Sequence, residues 1–354
     1  MAKEIKQKDE SQNIASQISP WKMLWPISIG LGVVGYLLYD NFDVKAFDVV
    51  QFTWNSFFWL FLAVLLMLFR DLGYVFRIRV LTDNKLNWRQ AIRVIMLWEF
   101  TSAITPSAVG GTGLAVIYVN KEGISIGRST AVVMATSFLD ELYFILMFPL
   151  LLLFINVEKL FMVSGIESYS REFLILAIVG YSVKLIYTVF ISYGLFKNPR
   201  MIKKILFNVF SIRFLKKWRY SATQEGNEIM DSSKELKKKS FSFWLKAFGA
   251  TVFSWTSRYW VVNAMFVAFF VINEHALLYA RQLVMWIMML VSPTPGGSGF
   301  TEFVFTEYLG DFLPQVAGIV VLMATLWRLI TYYPYLIIGA IIGPSWIKDK
   351  FGKK

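Results

Sequence analysis

Eight long apolar stretches follow one another along this chain and leave few ways to fold it. Six are unbroken: Met23–Tyr39, Phe52–Phe69, Thr130–Ile155, Phe173–Phe196, Phe243–Ile272 and Val316–Gly343. Two, Ala91–Val119 and Ala276–Leu309, are interrupted in the middle by proline and glycine. A membrane crossing needs ~17–25 mostly apolar residues, and each stretch is of that order. Charged residues make up 17% of the chain, against about 25% in an ordinary soluble domain. The pattern predicts an all-α polytopic membrane protein.

The two interruptions resemble each other. Gly110-Gly111-Thr112-Gly113 and Gly296-Gly297-Ser298-Gly299 each follow a proline closely and lie 186 positions apart (296 minus 110), about half the chain. Such spacing suggests an internal duplication. Lys and Arg exceed Asp and Glu, 36 to 24, for a formal net charge of +12. In a membrane protein this excess sets orientation and favours anionic lipid headgroups. The basic residues border apolar segments, so nucleic acid is a poor partner.

Positive charge then orders the crossings. The stretch Arg70–Arg93 is strongly basic, as is the loop Lys197–Ser240 with twelve Lys and Arg, whereas Asn156–Glu172 has only Lys159 and Arg171. Both basic segments fall on the cytoplasmic side only if Ala91–Val119 enters and leaves the membrane on one face. The same reasoning makes Ala276–Leu309 re-entrant from the other face. The expectation is six full spans and two re-entrant helical hairpins in an inverted repeat, with both termini cytoplasmic. The alternative is two Pro/Gly-kinked full helices, because long loops can escape the charge rule.

On this division residues 1–22 form a cytoplasmic tail rather than a signal peptide. Residues 23–343 form the membrane domain, with a basic loop at 197–241, and 344–354 form a second basic tail. Within the loop Ile202, Ile205, Leu206, Val209 and Phe210 share one helical face. That spacing suits an interfacial helix on anionic lipid, or a plain connector.

Ionisable residues deep in the apolar stretches narrow the function. Glu99, Asp140, Glu141, Lys184, Arg258, Arg281, Glu302 and Arg328 lie there. A central charge carries an insertion penalty of ~2.5–3.5 kcal/mol, so these groups must pair or line a polar cavity. Thr251, Ser254 and Arg258 share a stripe, as do Thr325, Arg328, Tyr332 and Tyr335. Arg328, Asp140 and Glu302 are the strongest candidates; Arg281 and Lys184 suit snorkelling or local pairing. After each glycine break a new half-helix starts with free N–H groups and its positive dipole end near the midplane, an arrangement suited to anions. Gly110, Gly111, Thr112, Gly296, Gly297 and Ser298 are therefore candidate substrate-binding residues, with Arg258 and Arg328 as a phosphate clamp. Glu99, Asp140, Glu141 and Glu302 are candidates for coupling or ion pairing. Glycines that only permit close helix packing are the simpler alternative.

The chain has no cysteine and one histidine, His275, expected in a solvated external loop. Thiolate chemistry, disulfides and multi-histidine zinc sites are excluded, and no cofactor is expected.

Thr105-Pro106-Ser107-Ala108-Val109-Gly110-Gly111, Pro293-Thr294-Pro295-Gly296-Gly297-Ser298-Gly299-Phe300-Thr301-Glu302 and Arg328 resemble the lysylphosphatidylglycerol synthase transmembrane family. The resemblance covers about Leu24 to Gly343. Ser107 stands where that family often has glycine, and Glu141 where it tends to have a basic residue. The resemblance implies lipid translocation between leaflets of the cytoplasmic membrane, with membrane lipids, anionic ones above all, as partners. Lysyl transfer is not implied, because that chemistry belongs to a separate soluble domain for which this chain leaves no room. A flippase or scramblase for an anionic phospholipid or polyprenyl-phosphate lipid, not an enzyme, is the leading expectation. A membrane enzyme acting on such lipids and a non-transporting envelope scaffold remain alternatives.

Overall fold

The computed structural model describes residues 49–105, 111–162, 171–201, 204, 219–289, 300–316 and 318–351, and these are all-helical. The first apolar stretch, the proposed interfacial helix, Gly110 and the whole second glycine break lie outside the described residues. The helices are α1 (Trp54–Leu81), α2 (Trp88–Ile104), α3 (Thr112–Lys121), α4 (Ile126–Leu152), α5 (Val157–Leu160) and α6 (Arg171–Ser192). After these come α7 (Arg219–Lys237), α8 (Phe241–Val267), α9 (His275–Met288), α10 (Phe300–Leu309), α11 (Ile319–Thr331) and α12 (Tyr333–Phe351). Four are long and apolar enough to cross a membrane: Trp54–Leu81, Ile126–Leu152, Arg171–Lys197 (α6 with its last turn) and Ile319–Lys350 (α11 with α12).

Helix α1 corrects the sequence reading most. Its apolar stretch does not stop at Phe69. The helix continues to Leu81 and takes in Arg70 and Arg77, both buried, where a basic loop was expected. Thr53 and Ser56 form a capping box at its start. Asp83 and Asn84, at φ +55° and +58°, turn the chain after its end. The connection to α2 is then only Thr82–Asn87. Along α1, Phe57, Phe61, Val64, Leu68, Leu72 and Phe76 form one exposed apolar stripe suited to lipid. The opposite face packs antiparallel on α8. At Gly73 an added Cβ would sit 2.2 Å from Ser254 Oγ and 3.0 Å from the Ala250 carbonyl, so glycine sets the distance between these helices.

The basic loop 197–241 also carries a helix that the sequence reading lacked. This is α7, which docks on the start of α4 through Gly127 N–H donating to Glu228 (3.2 Å). Along the last span the chain breaks at Tyr332, between α11 and α12.

Ion pairs show which helix ends share a side. Asp83 bonds Arg128 (2.8 Å) and Lys239 (2.6 Å); Glu122 bonds Lys350 (3.0 Å) and lies 3.4 Å from Arg93. The end of α1, start of α2, end of α3, starts of α4 and α8 and end of α12 therefore meet at one basic end. At the other end Phe52 lies against Phe269, Lys159 bonds Glu274 (2.7 Å) and Arg281 bonds Asp311 (3.1 Å). That gathers the start of α1, the α5 region, the end of α8, the start of α9 and the end of α10.

Two helix pairs fold back within this frame. In α2 and α3, Gln90 and Arg93 sit beside Glu122 at the basic end, while Gly111 N–H donates to Ser102 Oγ (3.2 Å) at the far ends. In α9 and α10, Arg281 donates to the Tyr308 carbonyl (3.0 Å) at the opposite end, and Thr301 donates to Met289 Sδ (3.2 Å) at the inner ends. The first pair opens toward the basic end and the second away from it.

Two apolar cores divide the bundle. Ile78, Leu97, Tyr118 and Val132 belong to one, and Phe144, Phe266, Leu283 and Phe305 to the other. Along α4 the change falls between Leu139 and Tyr143, where Asp140 and Glu141 stand.

Candidate functional site

The charged residues of the interior are held by different helices and meet across them. On α1, Arg70, Asp71, Tyr74 and Arg77 fall at i, i+1, i+4 and i+7, one polar stripe opposite the lipid face. Arg70 donates to Glu99 of α2 (2.5 Å) and to Asp71 (2.9 Å), and its guanidinium lies over the Tyr74 ring. Asp71 also accepts from the Tyr335 hydroxyl of α12 (2.9 and 3.0 Å). About two turns beyond Arg70, Arg77 donates twice to Asp140 of α4 (2.5 and 3.1 Å) and once to Thr251 of α8 (3.0 Å). Asp140 accepts a third bond from the Trp255 indole (2.8 Å).

The neighbouring Glu141 faces another way and pairs with Lys184 of α6 (2.8 and 3.0 Å). Consecutive residues on a helix diverge by about 100°, so two adjacent acids serve two different helices. Glu302 of α10 bonds Arg328 of α11 (2.8 and 3.3 Å), and both are buried. The Tyr332 hydroxyl donates to the Ala103 carbonyl at the tip of α2 (3.1 Å) and so ties the last span to the first helix pair.

Of the sequence candidates, then, Glu99, Asp140, Glu141, Glu302 and Arg328 all stand in ion pairs. Arg281 and Lys184 do not snorkel; they bridge helices, and Arg281 is 2% exposed. Arg258 stands apart. It lies over the Trp286 ring at 4.6 Å and over Trp255 at 5.8 Å, with no carboxylate within 4 Å among the described residues. Gly111 touches Ser102, and Thr112 opens α3 with no side chain capping the helix start. Gly110, Gly296, Gly297 and Ser298 lie outside the described residues. His275 is half-buried at the start of α9, 3.0 Å from Asn263 Oδ1, rather than solvated in a loop. Among the described residues no three His, Asp or Glu side chains gather in a way that could hold a metal ion.

Arg70, Asp71 and Arg77 are members of the interior charge network that the sequence pattern alone did not single out. Their signal was the i, i+1, i+4, i+7 stripe within residues otherwise apolar enough to continue a helix.

The paired acids keep partial contact with open space. The side chains of Glu99 and Asp140 remain 21% and 22% exposed although their partners Arg70 and Arg77 are almost fully buried.

The profile of the lysylphosphatidylglycerol synthase TM region matches residues 23–339. The chain belongs to this family. It is similar to a UPF0104 membrane protein of Archaeoglobus fulgidus, 27% identical over 314 residues that cover 86% of this chain and 88% of that one. No solved structure matches it. This membrane-domain family member thus places its charged groups along a central polar layer, where neither match by itself assigns a role.

Proposed function

We propose that this protein moves an anionic lipid headgroup, of a phospholipid or a polyprenyl-phosphate lipid, between the leaflets of the cytoplasmic membrane. The observation that carries the reading is a layer of inter-helix charges in an apolar bundle, with Glu99 and Asp140 still partly exposed, beside two folded-back helix pairs. Lipid translocation needs such a layer, because the headgroup must stay solvated while its acyl chains remain in the bilayer.

In this reading both pairs are re-entrant. The arms α2, α3, α9 and α10 hold 17, 10, 14 and 10 residues, or about 25, 15, 21 and 15 Å at ~1.5 Å per residue. Each falls short of the ~30 Å hydrocarbon core. The basic end faces the cytoplasm by the positive-inside rule. Helix α8 joins the four long apolar helices as a fifth span; the sixth expected span, Met23–Tyr39, lies outside the described residues. The two halves then form an inverted repeat that rocks around the polar layer. A shallow apolar groove of about 410 Å³ between α1 and α8, lined by Leu72, Phe76, Trp88, Ala250 and Phe253, offers lipid tails a track beside that layer. The work is transport, with no covalent step and no cofactor.

The test is reconstitution into liposomes with fluorescent phosphatidylglycerol and measurement of its accessibility to an impermeant quencher. Wild type speeds exchange between leaflets, and Arg328→Ala and Glu302→Gln abolish it. No acceleration by correctly folded wild type across anionic phospholipid and polyprenyl-phosphate probes overturns the reading.

A further inference from the structure

We propose that Arg258 is the residue that binds the phosphate of the headgroup. The assignment rests on the translocation reading for its purpose but stands on its own observations.

Six cations line the interior helices: Arg70, Arg77, Lys184, Arg258, Arg281 and Arg328. Five hold a carboxylate within 4 Å. The sixth, Arg258, donates no hydrogen bond among the described residues and instead lies over two indoles, Trp286 at 4.6 Å and Trp255 at 5.8 Å. An arginine has five N–H donors in a planar fork, and leaving them without acceptors inside a membrane protein is unfavourable unless a ligand or water supplies them.

Its direction is fixed by its helix. On α8 the lipid side carries Phe253 and Trp260, which are 49% and 42% exposed. Arg258 lies about 140° around from Phe253 at ~100° per residue, on the inward face with Thr251 and Ser254, which are fully buried. The Arg258 side chain points inward and yet is not fully buried. Ser254, one turn away, donates to the Arg70 carbonyl (3.0 Å), so this turn of α8 lies beside the Arg70 cluster. Two further donors nearby are buried with no acceptor among the described residues, Arg70 Nε and the Tyr259 hydroxyl. Tyr259 is the next residue after Arg258, and Arg70 is held by Ser254 one turn before it. Three donor groups short of acceptors call for a ligand rich in acceptors and negative in charge. A phosphodiester meets both needs, and the guanidinium fork matches it in geometry. Trp286 stands on α9, near the inner end of the second helix pair, so movement of that pair would cover or uncover the bound phosphate.

The test uses the full-length protein in lipid nanodiscs. Phenylglyoxal modifies accessible arginines, and peptide mass spectrometry reads Arg258. Phosphatidylglycerol nanodiscs protect it relative to nanodiscs of a neutral glycolipid lacking phosphate. Arg258→Gln retains phosphatidylglycerol in native mass spectrometry at least about tenfold less well than wild type, the scale of losing a charged hydrogen bond; Arg258→Lys falls between. Equal modification in both lipids, or undiminished retention by Arg258→Gln, overturns the assignment and leaves Arg258 as a distant counter-charge to Asp71 and Glu99. Protection by inorganic phosphate alone, with none by the lipid, also overturns it, since the site then takes a free anion. Because the protection is read on wild type, a folding defect in either variant leaves the test intact. Lipid protection without leaflet exchange keeps the Arg258 assignment and removes the translocation reading.

Discussion

Asp140→Asn isolates the energetics of the polar layer. In the native protein Asp140 accepts two bonds from Arg77 and one from Trp255. The Arg77 side chain is only 4% exposed, so water cannot replace the lost charge. Asparagine keeps one acceptor oxygen but turns an NH₂ toward a donor-only guanidinium. Arg77 then retains Thr251 and a cation over the Tyr74 ring at 4.7 Å. Breaking a buried pair from one side costs ~3–5 kcal/mol, and about 4 kcal/mol lowers the folded-to-unfolded ratio roughly a thousandfold. The companion Arg77→Met removes the orphaned cation. The double variant Arg77→Met/Asp140→Asn is therefore less destabilised than the sum of the singles, with a coupling of at least about 1.5 kcal/mol. Equilibrium unfolding in mild detergent, read by tryptophan fluorescence across all four proteins, supplies the cycle. Additivity within ~0.5 kcal/mol, the behaviour of independent sites, would refute a direct Arg77–Asp140 bond.

Two further outcomes follow from the packing. Gly73→Leu drives a side chain into Ser254 and Ala250, where even a Cβ lies at 2.2 and 3.0 Å; overpacking lowers stability by ~1–3 kcal/mol, seen as a lower thermal midpoint, whereas Gly249→Ala, whose Cβ meets nothing, leaves it within ~0.5 kcal/mol. Glu122→Gln removes the carboxylate that holds Lys350 and Arg93 and accepts from Trp346, so amide hydrogen exchange rises across the end of α12 while the α9 amides stay as protected as before.

Much of the architecture was legible because membrane helices advertise themselves by length and apolarity. The two broken stretches did resolve into helix pairs, α2 with α3 and α9 with α10. What escaped was whatever depended on partners far along the chain. Arg70 and Arg77 read as loop residues because positive charge beside an apolar run usually marks its end. Their acids, Glu99 and Asp140, are 29 and 63 residues away, beyond any local window. Helix α7 escaped for the opposite reason: it is polar, and its seat on α4 depends on the bare backbone of Gly127, where a Cβ would meet Glu228 at 2.2 Å. At the site, sequence position identified which charges were deep but not which were already paired. Arg328 ranked above Arg258 by position, yet it is Arg328 that Glu302 holds, while Arg258 has no carboxylate within 4 Å among the described residues.

The account turns on two folded-back helix pairs that open to opposite faces, and the chain's lack of cysteine makes this directly measurable. Single cysteines at Arg89 and Lys121 flank the first pair, and at Asn273 and Gln315 the second. With an impermeant maleimide on sealed, oriented vesicles, Arg89→Cys and Lys121→Cys react only from the cytoplasmic side, and Asn273→Cys and Gln315→Cys only from the outer side. Labelling of either couple from two different sides would mean that the pair crosses the membrane, and would contradict the account.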